Sequence, residues 1–201
     1  MYNKETDKIY ISNMCQGGWI NARLQNCQYK HPFIFSAFEE NDFIKFIENF
    51  EQMDLNVYNK IDFTKSKFIK FRNILPWDTV NEARGMKTID STIIEYTNGI
   101  QIIWPHVLKT DFDLLYEKRL NRFLENKNKE ICFIFRIKNY IDKELVQKFY
   151  DLKKYKKILL FDEDVPFNKH FQENENTQII ISSLEHQELI DYIKKLNLLA
   201  A

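Results

Sequence analysis

The sequence predicts an α/β fold: a largely parallel sheet with helices on both faces plus a β-hairpin, three layers in a single domain over residues 1–201. Three observations predict it. From His106 onward the pattern runs helix, strand, helix, strand, strand, helix, and such alternation builds layered α/β structure. The run Ile131–Ile137, ICFIFRI, is apolar except for Arg136, as strands buried on both faces are. Asn98-Gly99 separates Ser91–Thr97 from Ile100–Trp104, and both residues tolerate the positive φ of a tight hairpin turn. At 201 residues and 44% hydrophobic content, the chain is long enough to bury one real core.

Taken in order, Ile9–Ile11 reads as a buried strand, Ser12 and Asn13 as turn or cap residues, and Trp19–Gln25 as helix. Asn26–Phe38, which contains His31 and Pro32, predicts an irregular segment packed on the core. Phe43, Ile44, Phe46, Ile47 and Phe50 recur at helical spacing within Glu39–Met53. Val57–Phe63 and Lys67–Ile74 alternate with period two and predict two short strands, after which Pro76, Asn81 and Gly85 break the pattern. Thr110-Asp111-Phe112-Asp113 resembles a capping box opening a helix to about Asn126, with Leu114, Leu115, Leu120, Phe123 and Leu124 as its buried stripe. Asp142 caps a helix to about Tyr155; Lys157–Phe161 and Thr177–Ser182 are strands; Ser182 and Glu185 open a last helix ending near Leu196. Gln172–Asn176, QENEN, is a surface loop.

Charge and motifs narrow the function classes. Twenty-nine basic and 29 acidic residues cancel, so no overall field draws the chain to nucleic acid. The N-terminal MYNKETDKIY lacks the apolar run of a signal peptide and no segment approaches 18 apolar residues, which predicts a cytoplasmic protein without integral membrane contact. Cys15, Cys27 and Cys132 are too few and too irregular for a disulfide framework or a zinc knuckle. Phosphate loops, dinucleotide fingerprints, zincin motifs and serine elbows are absent, and neither cofactor nor metal is expected.

In open α/β sheets, sites form outside the carboxyl ends of the strands. Cys15 follows the first strand, His106 the second hairpin strand, Lys138-Asn139 the run ICFIFRI, and Asp162–Asp164 the run KILLF. If these strands run parallel in one sheet, a thiol, an imidazole and a carboxylate or amide meet at one edge, the makings of a cysteine nucleophile with its base and an orienting group. Cys15 at a helix N-terminus would lose its proton more easily, and Gly17 and Gly18 would leave room for a substrate. The alternatives are plain ones: a small buried cysteine, a loop histidine, a solvated acidic turn. Arg136 in an apolar strand predicts a buried ion pair with Glu95, Asp111 or Asp162, or a reach to an anionic substrate. Arg119 and Arg122, one turn apart, predict an anion site or an exposed basic face.

The blocks YISNMCQGGWINARLQ, HPFIFSAF, IQIIWPHVL, YEKRLNRFLE and ICFIFRI resemble the papain-like cysteine peptidase family of bacterial and viral proteins and a related group named for exopolysaccharide biosynthesis. The resemblance spans roughly Lys8–Leu160 and implies Cys15 as nucleophile and His106 as general base, with Arg119, Arg122 and Arg136 at family-pattern positions. It departs from papain in architecture, since helices and apolar strands alternate after His106.

Two functions are therefore expected. In the first, a cysteine-dependent hydrolase or acyl transferase uses Cys15 and His106, with Asp162, Asp164 or Asn139 orienting the imidazole and amides near Gln16 and Gly17 holding the oxyanion, on a small-molecule, peptide or glycan substrate. In the second, a glycan- or sugar-phosphate-binding or glycosyl-transfer module uses Trp19, Trp104 and the arginines, and Cys15 only packs.

Overall fold

The computed structural model describes residues 8–14, 31–34, 36–68, 91–104, 109–126 and 128–181. Two four-stranded sheets organise them. The first is parallel, in the order β1 (Lys8–Ser12), β6 (Glu130–Ile137), β7 (Lys156–Phe161), β8 (Thr177–Ile181). The second is antiparallel, in the order β2 (Ala37–Phe38), β5 (Gln101–Trp104), β4 (Thr92–Tyr96), β3 (Tyr58–Ile61). Three helices accompany them: α1 (Glu40–Asn49), α2 (Lys109–Glu125) and α3 (Lys143–Asp151). The fold is thus mixed α/β, as the strand pattern predicts.

The hairpin forms around Gly99, which adopts φ 76°, but its strands pair with β2 and β3 and not with the parallel sheet. That corrects the expectation of one sheet collecting every strand end. Strand β2 lies in the segment predicted to be irregular; two residues are too few to show a period. Of the two short strands predicted after α1, the first is β3; of the second, Lys67 and Phe68 are helical and the remainder lies outside the described residues. The helices predicted at Trp19–Gln25 and Ser182–Leu196 lie outside the described residues.

One buried cluster joins both sheets. It takes Ile9, Ile11, Phe133, Phe135 and Leu159 from the parallel sheet and Ile94, Ile102 and Trp104 from the antiparallel one. Helix α1 packs between them: Phe43 meets Phe133, Phe135 and Phe149, while Phe46 meets Phe33 and Phe38. The opposite face of the parallel sheet, with Tyr10, Ile134, Ile158, Leu160 and Ile180, is also buried, as parallel sheets require.

Polar ties fix the helices. Asp42, buried on α1, accepts from the Gln101 amide at 2.8 Å and from Lys67 Nζ at 3.3 Å, and the same ammonium donates to Gly99 O at 2.6 Å. The hairpin turn is thereby docked on α1. Helix α2 buries Phe112, Tyr116, Leu120 and Phe123, whereas Leu114 is 76% exposed and Leu124 also faces out. The helix is rotated from the predicted stripe because the larger aromatic residues take the core. Helix α3 starts at the Asp142 cap but ends at Asp151, short of the predicted Tyr155. There the buried Lys157 ammonium donates to the carbonyls of Phe149, Tyr150 and Leu152, satisfying groups that would otherwise be orphaned.

Candidate functional site

The carboxyl edge of the parallel sheet is held by Asn13. Its backbone N–H donates to Ile134 O at 3.2 Å, and its carbonyl accepts from the Phe38 amide at 2.9 Å, so β1 is linked here to β2 of the other sheet. Its side chain behaves like one more peptide group: Nδ2 donates to Arg136 O at 3.2 Å and Oδ1 accepts from Arg136 N at 2.8 Å. Asparagine carries both a donor and an acceptor in one plane, so it can continue a ladder where the strand itself turns away. Ser12 Oγ accepts from Met14 N at 3.2 Å, fixing the next residue as well. Asn13 is fully buried. Sequence reasoning gave it only a turn or cap role.

Arg136 Nε donates to Asp162 Oδ1 at 3.1 Å, with the two side chains 26% and 25% exposed. The guanidinium is therefore paired with one of its three expected partners, in a half-buried position. Asn139 Nδ2 donates to Asp164 Oδ2 at 2.8 Å, out in solvent. The three groups considered as orienters of the imidazole, Asp162, Asp164 and Asn139, thus each make one hydrogen bond at this edge. A cleft of about 380 Å³ opens between the starts of α1 and α3, lined by Glu40, Asn41, Tyr140, Asp142, Glu144 and Lys148.

Cys15, Gln16, Gly17, Trp19 and His106 lie outside the described residues. Trp104 is in the core, against Phe112 and Tyr116, and its indole N–H donates to Pro32 O at 3.0 Å. That leaves no open face on which a sugar could stack. Cys132 is buried, and burial pushes its thiol up to about 12, so it stays protonated and inert near neutral pH.

His31, noted in the sequence but given no role, is fully buried. Its Nδ1 accepts from the Phe33 amide at 3.2 Å, and the ring also bonds the backbone of Tyr10. Burial is the main cause that brings its pKa down to about 3, and the nearby Arg119 charge acts in the same direction. The imidazole is neutral. Arg119 and Arg122 are each half-buried on α2, and neither has a carboxylate partner among the described residues. Burial, then the neighbouring Arg122, lowers the Arg119 pKa.

At the other end of the sheet, a cleft of about 370 Å³ is lined by Phe50, Met53, Leu120, Leu124, Ile131 and Tyr155. Among the described residues, no cluster of His, Cys, Asp or Glu is arranged to hold a metal ion, and no helix is long and apolar enough to cross a membrane. No family model matches the chain, and no curated protein matches it.

Proposed function

We propose that the protein is a cysteine-dependent hydrolase or acyl transferase in which Cys15 attacks an acyl carbon and His106 carries the proton. The observation that supports this reading is the Asn13 anchor. It fixes the chain two residues before Cys15, at the carboxyl edge and at the junction of the two sheets. Rigid support directly behind a reacting group is what positions it for attack. The strand that leads to His106 is tied to the same point, because Asn13 bonds Phe38 and Phe38 pairs with Ile102 of β5. Two strand spacings separate Asn13 from β5, roughly 10 Å. Two residues of chain reach up to roughly 7 Å beyond Asn13 on one side and beyond Trp104 on the other. Chain length alone therefore permits Cys15 and His106 to meet near these anchors.

In this reading the amides near Gln16 and Gly17 stabilise the oxyanion. Asp162 and Asn139 are held at this edge by Arg136 and Asp164, and Asp162, Asp164 or Asn139 orients the imidazole with its remaining hydrogen-bonding capacity. The resemblance to papain-like cysteine peptidases and the exopolysaccharide group supports the same chemistry, with an amide, ester or acylated glycan as substrate.

The test pairs activity with stability on the same samples. Cys15→Ser should abolish turnover across a panel of amide, ester and glycan substrates while unfolding like the parent, and His106→Ala should cost about 10²–10⁴-fold. Cys15 should also alkylate near pH 7 well before Cys132, whose thiol is silent there. An active but destabilised Cys15→Ser protein would make Cys15 a packing residue and favour the glycan- or sugar-phosphate-binding alternative.

A further inference from the structure

Arg119 and Arg122 lie one turn apart on α2, a spacing that puts their Cβ atoms about 5–6 Å apart on one helix face. Like charges so placed repel, and the usual remedy is an intervening carboxylate. None is present among the described residues. Arg119 Nε is moreover buried without a hydrogen-bond partner, although the rest of the residue is only half covered. A buried donor left without an acceptor is destabilising, more so when it is charged. The neighbouring His31 cannot compensate, since both its ring nitrogens are engaged and it carries no negative charge. Among the described residues the two guanidinium charges are thus uncompensated, a shortfall that an anion from outside would offset.

We propose that Arg119 and Arg122 form a binding site for a phosphate-type dianion, free or borne on a ligand, beside His31. Two guanidinium groups match two negative charges, which one carboxylate does not supply and a phosphate monoester does. The planar donor forks suit an oxyanion with several acceptor oxygens. The site goes beyond the catalytic reading and does not depend on Cys15.

Binding is read by calorimetry and thermal unfolding in buffer free of phosphate and sulfate, at constant ionic strength. The probes are inorganic phosphate, glucose 1-phosphate, glucose and acetate. Phosphate or glucose 1-phosphate should raise the melting temperature saturably, and glucose and acetate should not. Tighter binding of glucose 1-phosphate identifies a ligand-borne group; equal affinity identifies the free ion. Arg119→Met should remove the response and unfold no earlier than the parent without anion, because it deletes an uncompensated charge. A structural arginine would behave in the opposite way. Arg122→Gln, which keeps a polar side chain and removes the charge, should weaken binding on the order of tenfold. Absence of any response in the parent, an equal response to acetate, or undiminished binding in Arg122→Gln would overturn the proposal. Cys15→Ser should bind like the parent, so failure of the catalytic reading leaves this result unaffected.

Discussion

The two ends of the parallel sheet carry clefts of similar size and opposite chemistry. At the amino end, about 370 Å³ is walled by Phe50, Leu120, Phe123 and Ile131, and its charged rim pair, Glu51 with Lys154 at 2.5 Å, is more than half exposed. At the carboxyl end, about 380 Å³ is lined by Glu40, Asn41, Tyr140, Asp142, Glu144 and Lys148, and at the same edge of the sheet Asn13 ties backbone and side chain to Arg136 and to Phe38 of the other sheet. A rule that seeks apolar concavity favours the first, and a rule that seeks converging strand ends favours the second. The difference lies in how firmly polar groups are held. An apolar wall can hold a shape without holding any reacting atom, whereas the carboxyl edge fixes hydrogen-bonding groups beside the segment that bears the thiol.

Breaking that edge should have the largest effect. Asn13→Ala leaves the part-buried Arg136 amide and carbonyl without their partner, and with about 1–3 kcal/mol for each unsatisfied group the loss should be about 2–6 kcal/mol by urea denaturation. A loss below about 1 kcal/mol, within the range of one ordinary hydrogen bond, would mean the edge is not held there.

Acid should come next, acting midway between the ends, where His31 meets the Tyr10 backbone. In the unfolded chain the imidazole protonates near its ordinary value of 6.5, whereas in the folded protein it stays neutral down to about 3. The unfolded state therefore binds more protons throughout this window, and stability falls as pH drops through it. Between pH 7 and 4 the contribution is about 3 kcal/mol. His31→Gln should flatten that part of the profile, and an unchanged difference between pH 7 and 4 would show that the folded imidazole titrates normally.

The smallest effect should separate the two ends by their ion pairs. A double-mutant cycle on Arg136 and Asp162, three-quarters covered, should give a coupling of about 1 kcal/mol. The same cycle on Glu51 and Lys154, both in solvent, should give none that can be measured. Equal couplings would erase the distinction between the ends.

Local signals were legible in the sequence and distant partners were not. The Asn98-Gly99 turn, the apolar strand β6 and the Asp142 cap each depend on neighbouring residues, and all three are present. The separation into two sheets was not readable, because a strand's period tells which residues it buries and not which strand it joins. On α2, apolar residues at Phe112, Leu114, Leu115 and Tyr116 allow more than one buried face, and ring size chose it. At the site, the Arg136 pair was foreseeable because an apolar strand gives a guanidinium few options. The role of Asn13 was not, since its partner is remote. The end of α3 was hidden for a related reason: Lys157 reads as an ordinary strand-edge lysine until its ammonium is seen on three carbonyls.

The remoteness of that Asn13 partner has a consequence for synthesis. Asn13 and Arg136 are 123 residues apart, and β1 has no other partner strand among the described residues. On a ribosome adding about 5–20 residues per second, β1 waits roughly 6–25 s for β6 to be made. During that time Ile9, Tyr10 and Ile11 present an unpaired apolar edge to the surroundings. Slow closure of so long a loop adds to the delay. Nascent-chain chaperones that shield short β-prone segments, and the translation rate over residues 13–136, should therefore set the yield of folded protein more than its final stability does.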